Sequence, residues 1–237
     1  MRRNIISIIV LLSSSLILSA QDLTVEYNFG YGAFSMQDFK NFLRDKSYTN
    51  SEGIELKNLK VTDNFPGYWI NQMKVGVELT KVHHVGVSLD FMNTAGRKAV
   101  SDFTGRYDYT LRVKGVRIGD FYRFFPDFLS NGNVRPYIML TAGIVLNKCK
   151  TEENFEIYET SIDNTNKFSL NGFNFFVEPA LGCKIKVHNN FALNLNAGYQ
   201  LDFVTYIENK GNELDMSPVW SGLRFQGGVI YYIPLRK

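Results

Sequence analysis

The sequence predicts an all-β protein, an eight-stranded antiparallel up-and-down transmembrane β-barrel. Three observations predict it: apolar and polar residues alternate through most of the chain, the alternating runs number eight, and glycines recur on the polar side of the alternation. Because successive side chains of a strand point to opposite faces, each run has one apolar and one polar face. An even number of strands closes without an exposed edge, as lipid requires.

The eight runs share this alternation and are separated by turn or loop residues. They cover residues 22–34, 67–82, 84–95, 105–125, 133–149, 170–187, 190–206 and 219–234. We expect the first and last strands to pair and close the barrel. In one run the apolar parity changes between Val113 and Val116, which predicts a β-bulge at Gly115.

Composition excludes several other classes. The 237 residues are 45% hydrophobic and 14% aromatic, which rules out a disordered chain. Beyond the N-terminus no run of 18 apolar residues occurs, so a bundle of membrane helices is excluded. Without Arg2 and Arg3 the 26 basic residues become 24 against 23 acidic ones, a balance that gives no reason to expect nucleic acid as a partner.

Residues 1–20 have the form of a secretory signal peptide. Arg2 and Arg3 precede an apolar core from Ile5 to Leu18, and the small residues Ser19 and Ala20 follow. We expect cleavage after Ala20, which leaves an outer-membrane β-barrel domain at 21–237. An uncleaved membrane anchor is the alternative.

Alternation alone does not separate a membrane barrel from a soluble ligand-binding barrel, whose apolar faces point inward. Glycines on the polar face favour a narrow polar interior, since small residues must lie there among large ones. These glycines are Gly30, Gly32, Gly76, Gly86, Gly182, Gly198, Gly222 and Gly228. Aromatic residues cluster towards strand ends, as membrane-interface girdles do. They include Tyr27, Tyr31, Trp69, Tyr107, Tyr109, Tyr122, Phe124, Phe203 and Tyr231.

The connections alternate between short and long. Short ones follow the second, fourth and sixth strands, and long ones cover about 35–66, 96–104, 150–169 and 207–218. This predicts periplasmic turns at one end and loops outside the cell at the other. In the first long loop, Ser35-Met36-Gln37-Asp38 is similar to a capping box, and Phe39, Phe42 and Leu43 have helical spacing, which predicts a short surface helix.

The C-terminal segment Gln226-Gly227-Gly228-Val229-Ile230-Tyr231-Tyr232-Ile233 resembles the terminal-strand signal of bacterial outer-membrane barrels. Trp220-Ser221-Gly222-Leu223-Arg224-Phe225, together with Arg135-Pro136-Tyr137 and Ala142-Gly143, resembles the broad outer-membrane β-barrel domain family that includes PorT-like proteins. The resemblance implies an eight-stranded barrel of a Gram-negative outer membrane, in contact with outer-membrane lipid and inserted by the barrel-assembly machinery through its C-terminal strand. It implies no single activity.

The histidines argue against an enzyme. His83, His84 and His188 all fall in the short turns, so we expect them at one end, away from the long loops where a general base would act. We predict no catalytic residue, metal site or cofactor; a site made only of carboxylates stays formally open. Cys149 and Cys183 lie at opposite ends of their hairpin, so no disulfide is expected, and we expect Cys183 to face lipid.

Charged residues on the polar face predict the content of the lumen. We expect an interior ion-pair network rather than a cationic pore, because an eight-stranded barrel has just enough interior for side chains and charges there must pair. The predicted network comprises Glu26, Lys74, Glu78, Asp90, Arg112, Lys114, Arg117, Arg123, Glu178, Lys184, Lys186, Asp202 and Arg224. Glu178 is predicted to pair with at least one interior Arg or Lys. We expect the acidic loop 150–169 to be solvated rather than to bind calcium.

These observations predict a non-enzymatic outer-membrane barrel with a structural role, or with interactions made through its long loops. Two alternatives remain within the membrane: a small transport barrel for anionic or apolar solutes, and a PorT-like accessory of a secretion apparatus. A soluble ligand-binding barrel is the third.

Overall fold

The computed structural model describes the chain from residue 22 to residue 235 with several gaps. The described ranges are 22–45, 48–49, 55–56, 60–101, 103, 105–157, 162–209, 212–213 and 218–235. The predicted signal peptide at 1–20 lies outside the described residues.

Strands dominate the described chain. In order they are β1 (Asp22–Gly32), β2 (Tyr48–Thr49), β3 (Glu55–Leu56), β4 (Lys60–Asn64), β5 (Tyr68–Glu78), β6 (His83–Ser101), β7 (Gly105–Phe124), β8 (Val134–Ile157), β9 (Ile162–His188), β10 (Phe191–Asn209), β11 (Asn212–Glu213) and β12 (Gly222–Pro234). Helix α1 (Gln37–Asp45) follows β1, and a single 3-10 turn covers Asp127–Leu129. Neither helical segment of the described chain has the length and apolar content needed to span a membrane.

Eight of the described strands form a closed antiparallel ring in the order β1, β5, β6, β7, β8, β9, β10, β12. β12 returns to β1 and pairs with it from Asp22 opposite Pro234 to Gly32 opposite Arg224. The predicted closure by the first and last strands is confirmed. Because every barrel strand has two neighbours, backbone groups pair within the ring and no strand edge is left open.

The two ends of the barrel differ. Short turns after β5, β7 and β9 lie with Asp22 and Pro234 at one end, which we call the turn end. At the other, the hairpin end, β6 pairs with β7 as far as Ser101 opposite Arg106, and β8 pairs with β9 as far as Ile157 opposite Ile162. Much of the predicted loops 96–104 and 150–169 is therefore strand.

The predicted β-bulge at Gly115 is wrong. β7 pairs with both β6 and β8 in continuous register through Gly115, which lies opposite Met92 and Asn147. In a strand with continuous register, the same set of alternate residues faces the lumen along the whole strand. Leu111 and Val113 therefore share the inward face with Arg117.

The outward face of the ring carries a continuous apolar surface, which we call the apolar belt. Its large exposed side chains include Val25, Tyr27, Phe29, Tyr31, Trp69, Met73, Val75, Val87, Phe91, Ile118, Tyr122, Phe124, Ile138, Leu140, Leu146, Phe173, Phe175, Leu181, Phe191, Leu193, Leu195, Tyr199, Leu201, Phe203, Leu223, Phe225, Val229, Tyr231 and Ile233. On β7 the belt runs from Phe124 to Val116, about 26 Å of strand length at roughly 3.3 Å per residue. At a barrel's usual tilt this covers most of a band about 25 Å tall.

One charged residue of the described strands, Asp120, faces outward within this belt, between Val87 and Ala142 on the neighbouring strands. Nothing in the structure explains it.

Candidate functional site in the barrel lumen

The lumen begins at the turn end with a polar pocket of about 310 Å³. Lys184 on β9 and Glu78 on β5 meet across its floor, with Lys184 Nζ 2.6 Å from Glu78 Oε1. The same ammonium lies 4.6 Å from the centre of the Phe125 ring and 5.1 Å from that of Tyr232. The carboxylate and the aromatic faces together compensate the loss of water around the ammonium.

The next layer is built on Glu26 of β1 and Arg123 of β7, both fully buried. The guanidinium donates two hydrogen bonds to the carboxylate, at 2.8 and 2.9 Å. Asn28 and Asn194 donate to the same carboxylate at 2.6 and 2.8 Å. A fork-to-carboxylate pair with its remaining lone pairs satisfied is the arrangement in which a buried pair is best compensated.

Aromatic rings fix the position of Arg123. The centre of its guanidinium lies 4.7 Å from the Tyr137 ring centre and 5.1 Å from that of Phe121. Gly182 lies opposite Tyr137 on the neighbouring strand, and a Cβ there would overlap the Tyr137 ring. The glycine therefore makes room for the ring that holds the arginine.

Two arginines and two carboxylates cross the middle of the lumen. Arg117 of β7 lies 2.5 Å from Asp90 and 2.7 Å from Glu178, and all three side chains are buried. Arg224 of β12 lies 3.5 Å from Glu178 and 3.9 Å from Asp90. We call these four residues the central ion-pair layer. Because they come from β6, β7, β9 and β12, the layer joins opposite walls of the barrel.

Lys74 is buried without an ion pair among the described residues. Its ammonium lies 3.5 Å from the sulfur of Met139 and 5.4 Å from the centre of the Phe121 ring. It lies on β5 opposite Glu26 of β1, so the Glu26 carboxylate is its nearest neighbour of opposite charge by register.

Above the central ion-pair layer the lumen becomes apolar. Buried side chains from several parts of the described chain fill it; we call this cluster the apolar plug. It comprises Phe34, Met36, Phe39, Leu43, Phe65, Ile70, Met92, Tyr107, Tyr109, Leu111, Val113, Val145, Cys149, Leu170, Phe176 and Trp220. The fully buried indole of Trp220 donates a hydrogen bond to Asn147 at 2.6 Å, which fixes the plug to the wall.

Helix α1 lies over the hairpin end of the lumen and completes the plug. Phe39 and Leu43 are buried in it, and the last turn of the helix receives a hydrogen bond from Lys98 Nζ to the Arg44 carbonyl at 2.8 Å. A cation at a helix C-terminus stabilises unpaired carbonyls there. The predicted surface helix is present, with Gln37, Arg44 and Asp45 exposed, and its apolar face packs into the plug.

Comparison with known proteins rests on structure. No protein-family model and no curated protein sequence matches the chain. Among solved structures, the outer membrane protein OprG from Pseudomonas aeruginosa is similar, with a TM-score of 0.51 and 12% identity over 91% of this chain and 97% of OprG. A major outer membrane protein from Thermus thermophilus has a TM-score of 0.42 and 13% identity, over 89% of this chain and 99% of that one.

The protein has the fold of a small outer-membrane β-barrel. The similarity to OprG extends over nearly the whole of both chains, and the closed eight-stranded ring and apolar belt agree with it. The predicted fold class is thereby confirmed. The PorT-like part of the sequence resemblance stays a prediction.

Within this outer-membrane barrel, the predicted interior charges fall into four groups, of which three have the inward parity. Those buried in the lumen are Glu26, Lys74, Glu78, Asp90, Arg117, Arg123, Glu178, Lys184 and Arg224. Lys186 has the inward parity but is exposed at the pocket of the turn end. Asp202 is half-buried, and its carboxylate accepts hydrogen bonds from the Gln200 amide and from the Trp220 backbone N–H.

Two members of the predicted network are wrong. Arg112 and Lys114 face outward and are exposed. The prediction assumed that polar residues of β7 face the lumen throughout. At the hairpin end the lumen is apolar, so Leu111 and Val113 lie inside, and the charged residues between them point away.

The outer-membrane barrel carries its histidines at the turn end, as predicted. His84 is buried, with Nε2 2.9 Å from the Thr24 hydroxyl, and His83 lies 2.8 Å from the Tyr122 hydroxyl. Both cysteines are free, and Cys183 has the outward parity, as expected. Cys149 belongs to the apolar plug. Among the described residues, no group of three or more His, Cys, Asp and Glu side chains could hold a metal ion.

Proposed function

We propose that the protein is a non-conducting barrel of the Gram-negative outer membrane that holds its β6–β7 and β8–β9 hairpins outside the cell for interactions. The observation that carries this is the double closure of the lumen. The central ion-pair layer crosses it, and the apolar plug with α1 fills the space above. A solute would have to break both the paired charges and the packed plug.

The location and export are part of the proposal. Support comes from the apolar belt, the fold shared with OprG, and the signal-like residues 1–20. We further propose insertion by the barrel-assembly machinery, supported by the terminal-strand residues of β12, which pair with β1 and β10.

We propose no catalytic role. The histidines lie at the turn end, where His84 is engaged with Thr24, so they are remote from the hairpin end. The buried carboxylates Glu26 and Glu178 are engaged with arginines.

Planar bilayers test the closed lumen. We expect no conductance steps from the purified, folded protein. The double variant Phe39→Ser/Leu43→Ser removes the apolar contacts of α1 and should also remain silent, because the central ion-pair layer lies beneath the plug. Insertion is verified by protease protection of the barrel strands in lipid vesicles prepared from the same protein.

Each contrary result has a distinct meaning. Anion-selective steps from the unmodified protein would contradict the closed lumen and support the transport alternative. Conductance steps from the double variant alone would show that α1 is what blocks the lumen, and would contradict closure by the central ion-pair layer.

A further inference from the structure

Four cations form a compact outward-facing patch on β7 and β8, which we call the basic patch. Lys114 lies directly opposite Lys148, and Arg112 directly opposite Lys150. All four side chains are exposed, and none has an ion-pair partner in the part of the chain that the structure describes. Like charges placed directly opposite on adjacent strands destabilise a sheet, so the arrangement has a cost in the protein alone.

Neighbouring carboxylates are already engaged. Glu152 lies 2.9 Å from Lys167. Asp108 accepts hydrogen bonds from Arg97 at 3.0 and 3.1 Å and lies 3.3 Å from Arg106. Burial raises the pKa of Asp108, but the hydrogen bonds from Arg97 and Thr110 outweigh this and hold the pKa below its ordinary value. These carboxylates therefore form their ion pairs with cations outside the basic patch.

The position of the basic patch along the barrel axis indicates which part of the membrane surrounds it. Lys114 is the next outward residue after Val116, and Lys148 the next after Leu146, so the patch begins where the apolar belt ends. At that height a membrane passes from acyl chains to headgroups, and long basic side chains reach the headgroups while their stems remain against apolar surface. Asn93 and Asn171 flank the patch on β6 and β9 with further hydrogen-bond donors.

We propose that the basic patch binds the phosphate groups of a phosphorylated glycolipid of the outer leaflet. A phosphate accepts paired hydrogen bonds from a guanidinium and strong single ones from ammonium groups, and it offsets the repulsion between the facing cations. The inference rests on the proposed outer-membrane location with the hairpin end outward. It adds a specific lipid contact on one side of the barrel.

Purified full-length protein in detergent, titrated with phosphorylated lipid A, tests the proposal. The readout is the temperature at which the barrel loses its heat-resistant gel mobility, with native mass spectrometry as a count of bound lipid. We expect lipid A to raise that temperature for the unmodified protein. In the double variant Lys114→Gln/Lys148→Gln, the half-saturating lipid concentration should rise about tenfold. This is the loss of affinity expected when two exposed ion pairs with the phosphates are removed.

The matched control is Lys81→Gln/Lys186→Gln, which removes two exposed lysines at the turn end and should respond like the unmodified protein. Without lipid, Lys114→Gln/Lys148→Gln should be at least as heat-resistant as the unmodified protein, because it removes a repulsion. Equal responses of both double variants would overturn the proposal. So would an equal effect of dephosphorylated lipid A, or of inorganic phosphate alone, which would assign the effect to acyl chains or to a soluble anion. None of these measurements depends on whether the lumen conducts.

Discussion

Glu178 illustrates how single residues determine the lumen. It comes from the middle of β9, is fully buried, and contacts arginines of β7 and β12. Both arginines also approach Asp90, and the Arg117 guanidinium centre lies 4.0 Å from the Phe176 ring centre. The charges are thus compensated only as a group, and removal of one carboxylate leaves two buried guanidinium groups sharing the other.

We therefore predict that Glu178→Ala lowers the temperature at which the barrel loses its heat-resistant gel mobility. Breaking a buried pair typically costs about 3–5 kcal/mol, because the remaining charge is left uncompensated. The control is Glu152→Ala, which removes an exposed ion pair with Lys167 on the β8–β9 hairpin and should leave that temperature unchanged. Equal temperatures for the two variants would show that the central ion-pair layer does not stabilise the barrel.

Two residues of the apolar plug adopt backbone conformations that no sequence pattern predicts. Met36 and Phe65 have φ angles of 45° and 49°, in the left-handed region, and both are buried. The conformation costs about 1–2 kcal/mol for a residue with a side chain. Burial of each large apolar side chain contributes about 1.5–3 kcal/mol, which offsets this.

At the scale of elements, β7 shows where the alternation of apolar and polar residues predicts the lumen-facing side correctly and where it does not. From Val116 to Phe124 the exterior is apolar apart from Asp120, and the inward face carries Arg117 and Arg123, so the hydrophobic pattern gives the correct face. Nearer the hairpin end the lumen is filled by the apolar plug, and the same rule assigns Arg112 and Lys114 to the wrong side. The parity change in the sequence is real. It reports a change in the content of the lumen, not a bulge.

The ends of β8 and β9 were not predictable from the pattern for a related reason. Beyond the apolar belt the outward face of the hairpin carries exposed charged residues such as Lys148 and Lys150, while the inward face still supplies Cys149 and Leu170 to the apolar plug. The pattern of apolar outward and polar inward residues therefore ends before the backbone pairing, which continues to Ile157 and Ile162. Helix α1 was predictable from the spacing of Phe39, Phe42 and Leu43. The surface against which its apolar face packs was not predictable, because an apolar helix face does not reveal what covers it.

Helix α1 provides a prediction at this scale. A Cβ at Gly96 of β6 would lie 2.5 Å from the Phe65 ring and 2.8 Å from Leu43. Gly96→Leu should therefore displace α1 from the plug, since overpacking costs about 1–3 kcal/mol. We expect tryptic cleavage after Lys40, read by mass spectrometry, to accelerate about tenfold or more.

Ala95→Leu is the matched control, because Ala95 is the adjacent residue on the outward face of the same strand. Unchanged cleavage in Gly96→Leu would mean that α1 does not depend on contact with β6. Equal acceleration in both variants would point to a general loosening of the hairpin.

At the scale of the molecule, the barrel reverses the placement of apolar and polar residues that is usual in a soluble protein. Its exterior is largely apolar, and its lumen from the turn end to the central ion-pair layer holds charged and amide side chains, several of which pair across the barrel. Glycines and alternation together predicted this arrangement, since a narrow lumen needs small residues between large ones. The residues that fix the arginines, such as Asn194 and Tyr137, carry no sequence signal of their own, because their role depends on which strands face each other across the lumen.

The orientation in the membrane is the last prediction. Short turns at one end and long hairpins at the other favour a periplasmic turn end and an exposed hairpin end. Asn154 lies near the end of β8 at the hairpin end, and Asn189 lies in the turn after β9. Asn154→Cys should therefore react with a bulky, membrane-impermeant maleimide on intact cells. Asn189→Cys should react only after the outer membrane is permeabilised.

The unmodified protein is the background control in this experiment. Cys149 is 2% exposed within the plug and Cys183 has the lipid-facing parity, so neither native thiol should react with a bulky polar reagent. Labelling of Asn189→Cys but not Asn154→Cys on intact cells would show that the barrel has the opposite orientation in the membrane. The basic patch would then lie towards the inner leaflet, away from the glycolipid whose phosphates it is proposed to bind, and the paired hairpins would reach into the periplasm.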